Sequence, residues 1–136
     1  MQTAYITHRE CLRHDPGEEH PECARRITAI EDRLISTGVF DLLRHFEAPE
    51  ITREQLLRIH SPGHLEMLRA MAPRQGYQSL DADTIMSPET LGAAQRAAGA
   101  AVLAVDLLMS GAADNAFCCV RPPGHHAGRS QAMGFC

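Results

Sequence analysis

The chain has no lysine: all 13 of its basic side chains are arginine. They are scattered rather than clustered, and the formal net charge is −4. No basic stripe of the kind that tracks a nucleic-acid backbone results, so nucleic acid is not an expected partner. Abundant Arg and Ala without Lys fit a GC-rich coding bias better than any mechanism. CxxC spacing is missing too. The five cysteines, Cys11, Cys23, Cys118, Cys119 and Cys136, are odd in number, which argues against a disulfide framework and for unpaired thiols in a reducing cytoplasm. The first residues, Met1 to His8, carry neither a basic start nor an apolar run, so no secretory signal is expected. Long apolar runs are absent as well. The segment 97–105 is wholly apolar but is closed off by Arg96 and Asp106, well short of the about 20 residues a membrane span needs.

What the chain does contain is an alternation of strands and helices. At 136 residues and 44% hydrophobic it suits a single modest core, and no repeat, linker or low-complexity segment divides it. Residues 4–7 read as a first strand and 8–20, charged and aperiodic, as a loop. Pro21 suits a first helical position, with Cys23, Ile27, Ile30 and Leu34 on one face and Gly38 as terminator. A short helix from Phe40 and a strand near 44–47 follow. Thr52 caps a helix running through Ile59, and Ser61-Pro62 opens another with Leu65, Leu68, Met71 and Ala72 on one face. Residues 73–83 are a loop. Ser87 as N-cap and Pro88 start the longest helix, which ends near Gly111 and whose Ala and Gly suit close packing on a sheet. Residues 115–120 are a buried strand. This order predicts an α/β fold with a mainly parallel sheet.

After that last strand comes Arg121-Pro122-Pro123-Gly124-His125-His126-Ala127. The prolines fix φ and bias their predecessors towards extended backbone, and Gly124 allows a turn closed to other residues. Two imidazoles are thereby presented on a stiff loop at the carboxyl end of a buried strand, where open α/β sheets place active sites. The plainer alternative is a pair of solvated loop histidines. Cys118 and Cys119 stand close by, but successive strand side chains point to opposite faces, so core packing accounts for them better than a shared metal. Of His14, His20, His60 and His64, only His60 and His64 have chelating i, i+4 spacing, and Ser61-Pro62 interrupts it.

The 121–127 segment, followed by Met133-Gly134-Phe135-Cys136, resembles the signature of the zinc-dependent histone deacetylase superfamily, which includes the acetylpolyamine amidohydrolases. His14-Asp15-Pro16-Gly17-Glu18-Glu19-His20-Pro21-Glu22, His60-Ser61-Pro62 and Leu80-Asp81-Ala82-Asp83-Thr84 resemble further landmarks, in the family's order and nearest its class II and bacterial branch. The resemblance implies an arginase/deacetylase-like three-layer α/β fold, present here as its N-terminal portion. It implies hydrolysis of the amide of acetyl-lysine or acetylated polyamines. His126 would be the principal general base and then acid, and His125 would supply charge and hydrogen bonding to the tetrahedral intermediate. Imidazole suits such work because it titrates near neutrality. Gly134 and Phe135 would line the tunnel that grips the acyl-lysine stem, with core packing the alternative for Phe135. Asp83 would bind substrate backbone at the rim or else be a solvated loop carboxylate, and Arg26, beside the apolar stripe of its helix, would line an internal cavity or else make a surface salt bridge.

The same resemblance implies Zn2+ as cofactor, held by an Asp and a His two apart plus a second Asp, all downstream of Cys136. Residues 1–136 are therefore expected to be the N-terminal part of one catalytic domain and inactive alone. Of three departures, Cys23-Ala24 for Arg-Pro, Glu18-Glu19 for Pro-Gly and His64 for a Tyr, the first two bear on substrate preference more than on reaction type. A non-catalytic remnant with at most a binding role, an acetylpolyamine-specific amidohydrolase and a His/Cys metal binder are the other readings.

Overall fold

A computed structural model describes residues 1–136. Three strands, β1 (Thr3–Thr7), β2 (Arg44–Glu47) and β5 (Asn115–Cys118), form one sheet in the order β2-β1-β5, and both pairings are parallel. Ala4 lies opposite Arg44 on one side and Ala116 on the other. As the central strand, β1 is covered on both faces, and Ala4, Tyr5 and Ile6 are buried.

A helix lies on each face, which makes three layers. On one face α4 (Thr90–Met109) sends Ala100 into a cluster with Ala4, Ile6, Ala48 and Ala113. On the other, α1 (Arg25–Ser36) brings Ile27 against Tyr5, Cys11 and Cys119, with Ile30 and Leu34 beside them. Cys118 thus packs towards α4, its Sγ 3.5 Å from the Ala100 carbonyl, while Cys119 packs towards α1. Burial raises the pKa of both thiols, away from the thiolate that a metal takes. By length and composition α4 could cross a membrane. In this fold it covers the sheet instead, and Arg96 in its middle is bound to Glu10 and Glu50.

The remaining elements are α2 (Arg53–Leu57), α3 (Pro62–Met71) and a two-residue antiparallel ladder of β3 (Gln78–Ser79) with β4 (Ile85–Met86). Thr52 caps α2 through a full capping box with Gln55, and the Ser61 hydroxyl accepts from the His64 N–H at the start of α3. Both caps stand where the sequence puts them.

Other boundaries move, for tertiary reasons. Helix α1 begins at Arg25 and not at Pro21, because Glu22 is drawn aside to a buried partner, Arg121. Helix α4 begins at Thr90, since Ser87 and Thr90 form a turn in which the Thr90 N–H donates to the Ser87 carbonyl and the Ser87 N–H to Thr90 Oγ1. The 8–20 loop contains a 3-10 turn over Arg9–Leu12, capped by His8 Nδ1. The 73–83 loop contains β3. Helix α2 ends at Leu57, two residues before Ile59, and β5 ends at Cys118, although the Cys119 N–H still donates to the Ile6 carbonyl.

Candidate active site

All three parallel strands deliver their carboxyl ends to one edge of the sheet. From β1 the chain enters the loop holding His14, His20 and Glu22, and from β5 it enters the loop bearing His125 and His126. The second loop, 121–136, has no regular secondary structure, so its shape depends on what ties it down.

Its root is Arg121, with no exposed surface. The guanidinium forks onto Glu22, Nε to Oε1 at 2.8 Å and Nη2 to Oε2 at 2.7 Å. Its Nη1 donates to the carbonyls of Cys11 at 2.8 Å and His14 at 2.6 Å. Burial pushes the Glu22 pKa up, but hydrogen bonds from His14 and Arg121 outweigh it and hold the carboxyl down at about 2. Farther along, the loop is tied to the start of α3. The Ser61 N–H donates to the Arg129 carbonyl at 2.9 Å, His60 Nδ1 meets the Gly128 carbonyl at 3.0 Å, and the hydroxyls of Ser61 and Ser130 are 2.9 Å apart. The last residues fold back, and the His126 N–H donates to Cys136 Sγ at 3.3 Å.

The two imidazoles are exposed and lie side by side, ring centroids 4.2 Å apart at 48°. His125 lines a cavity of about 970 Å³ between α3, α4 and this loop, whose walls include Leu56, Leu65, Leu91 and Ala98. Arg26 and Phe135 line the same cavity. Gly134 touches His126 so closely that a Cβ there would lie 2.9 Å from the histidine Cβ and Cγ, and its φ is +60°. Only glycine meets both conditions. Phe135 also sits in the left-handed region at φ 70°, and its half-buried ring meets His20 edge-on at 4.7 Å. His20 Nε2 in turn lies 3.1 Å from the Asp83 carbonyl.

His126, Gly134, Phe135, His20 and Asp83 thus form one contiguous line across two loops and the β3–β4 turn. His20 is the member that sequence reasoning did not assign to the site. Asp83 takes part through its backbone carbonyl, and its side chain is exposed. Arg26 borders the cavity but is exposed, and its guanidinium reaches past the end of β5 to the Val120 carbonyl at 2.6 Å and not to a carboxylate.

Nowhere do three or more His, Cys, Asp or Glu side chains converge as a metal site requires. His60 and His64 have ring centroids 5.2 Å apart, but His60 is occupied with Gly128. Burial and then the neighbouring His60 lower the His64 pKa.

Comparison with known proteins defines the class. The model of the histone deacetylase domain matches residues 20–136, and the chain belongs to that family. Among its relatives is the histone deacetylase-like amidohydrolase of Pseudomonas aeruginosa, 39% identical over 87% of this chain and 30% of that protein. Polyamine deacetylase HDAC10 of Mus musculus is 34% identical over the whole chain and 22% of its own length. The crystal structure of the HDA15 HD domain superposes with a TM-score of 0.92 at 33% identity, over all of this chain and 40% of that one. The likeness bears out the three-layer α/β architecture. The chain spans less than half the length of each of these relatives.

Proposed function

We propose that residues 1–136 form the N-terminal part of a zinc-dependent deacetylase domain that hydrolyses the amide of acetyl-lysine or of acetylated polyamines. The observation that carries this reading is the His125–His126 pair, fixed at the edge of an apolar cavity by a loop tied at its root, middle and end. The names of the relatives, an amidohydrolase and a polyamine deacetylase, support the substrate class. Zinc would supply carbonyl polarisation and a more acidic water. No donor set among these residues fits the ion.

His126 takes a proton from the water that attacks the acetyl carbon. It returns that proton to the nitrogen as the C–N bond breaks, releasing acetate and the free amine. His125, one ring away, stabilises the negative charge of the tetrahedral intermediate. The Phe135 ring packs on the aliphatic stem of the substrate, Gly134 leaves room for His126, Asp83 binds substrate at the rim, and Arg26 lines the same cavity as Phe135. Five free cysteines, Cys11 and Cys119 among them buried, support a cytoplasmic location.

In the complete domain, His126→Ala should lower kcat roughly 10²–10⁴-fold, the usual contribution of a general acid–base group, with zinc content unchanged. A fluorogenic acetyl-lysine assay and an acetylated polyamine assay, with metal analysis of the same preparations, test this. Loss of zinc from the variant would make His126 a ligand and overturn the assignment.

A further inference from the structure

Arg121 lies four residues before His125, and it is the largest fully buried side chain in the protein. Burying a guanidinium is costly unless every donor is matched and the counter-charge is held in place. Here the counter-charge is held by a chain of hydrogen bonds. The Asp15 N–H donates to Ser87 Oγ at 3.1 Å. Ser87 Oγ lies 3.1 Å from Thr90 Oγ1, which also accepts from the Ser87 N–H at 2.8 Å. Thr90 Oγ1 in turn lies 2.8 Å from His14 Nδ1. An ionised carboxylate only accepts, so His14 presents an Nε2 proton to Glu22 Oε2, at 3.3 Å. Glu22 receives this bond and both arms of the Arg121 fork.

We propose that Arg121 and Glu22, oriented by His14 and Thr90, are positioning residues for the His125–His126 pair. The fork locks the root of the 121–136 loop to the loop after β1 and to the start of α4. Pro122 and Pro123 pass that fixed origin on to the imidazoles without added torsional freedom. Glu22 and Thr90 border the cavity as well, but the side-chain atoms that matter here are turned to Arg121 and His14. All four act through the placement of the two rings. The proposal rests on the reading of His126 as the proton-transfer group, because that role makes placement matter.

The test is a double-mutant cycle in the complete domain. Glu22→Gln should lower kcat about tenfold or more with KM nearly unchanged, since a misplacement of about 1 Å can cost roughly 10²-fold. In a His126→Ala background the same change should cost less than about twofold, because the group it positions is gone. An equal fall in both backgrounds would show a general structural role and overturn the proposal. A complete domain without deacetylase activity would sink the functional reading, and the positioning role is then decided by NMR on the 136-residue chain. Thr90→Val keeps shape and removes the hydroxyl that meets His14, which is also the acceptor of the Ser87 N–H. It should shift and broaden the ring signals of His125 and His126 while leaving those of Tyr5 in place. Unchanged histidine signals, or equal disturbance of Tyr5, would remove Arg121, Glu22 and His14 from this role.

Discussion

Glu22 shows how a single side chain sets a pH dependence. Its carboxyl is held at about 2 in the folded protein against an ordinary value of 4.5. A lowered folded-state pKa adds stability that is complete above about 4.5 and is lost as pH falls towards about 2. Thermal melts between pH 5 and about pH 2 should therefore show a loss of stability that Glu22→Gln flattens, and a variant as acid-sensitive as the wild type would contradict this. Phe135 is a second residue whose role separates by measurement. Truncating a core Phe to Ala costs about 3–5 kcal/mol. Phe135 is half-buried against His20, so Phe135→Ala should cost clearly less in stability and raise KM in the complete domain. A much lower melting temperature with wild-type KM would place the ring in the core and outside the site.

At the scale of elements, α4 is fitted to its neighbours through small residues. The segment after β2 crosses it closely: the Ile51 N–H donates to the Gln95 carbonyl at 3.2 Å, and a Cβ on Gly99 would overlap the Pro49 carbonyl oxygen. Gly99→Ala therefore sets two effects against each other. Helix propensity favours Ala by about 1 kcal/mol, whereas overpacking against backbone costs about 1–3 kcal/mol. A carbonyl inside the chain cannot step aside as a side-chain tip can, so overpacking should win. Urea denaturation should show net destabilisation, and a stabilised variant would mean that the crossing segment yields easily. The Ala and Gly content of this helix was readable as close packing. Which glycine makes the contact was not, because the partner lies about 50 positions earlier in the chain.

At the scale of the molecule, the chain presents only part of what its family relatives contain. Strand β5 pairs on one side only, with β1, and Phe117 on it is 44% exposed, as are Leu42, Val105 and Met109 to a greater extent. Without three converging donors, the number of protein ligands a catalytic zinc site normally takes, the 136-residue chain should bind no zinc tightly and turn over no acetyl-lysine substrate. Calorimetric zinc titration together with the fluorogenic assay checks this, and stoichiometric tight zinc with turnover would show that the chain is a complete catalyst.

The sequence alone determined the features that depend on neighbouring residues: the caps at Thr52 and Ser61, the strands at both ends of the sheet, the opposite faces of Cys118 and Cys119, and the stiff His125–His126 loop with its family resemblance. Each is settled within a few residues by backbone restriction or by periodicity. Tertiary structure decided what depends on distant partners. It decided that Glu22 leaves the first helix to meet Arg121, that Ser87 and Thr90 form a turn before α4, that His20 joins Phe135 to the Asp83 backbone, and that Arg26 stays exposed. A buried charge takes its counter-charge wherever the fold brings one within hydrogen-bond reach. Arg121 and Glu22 are 99 positions apart, so no local pattern could announce their meeting.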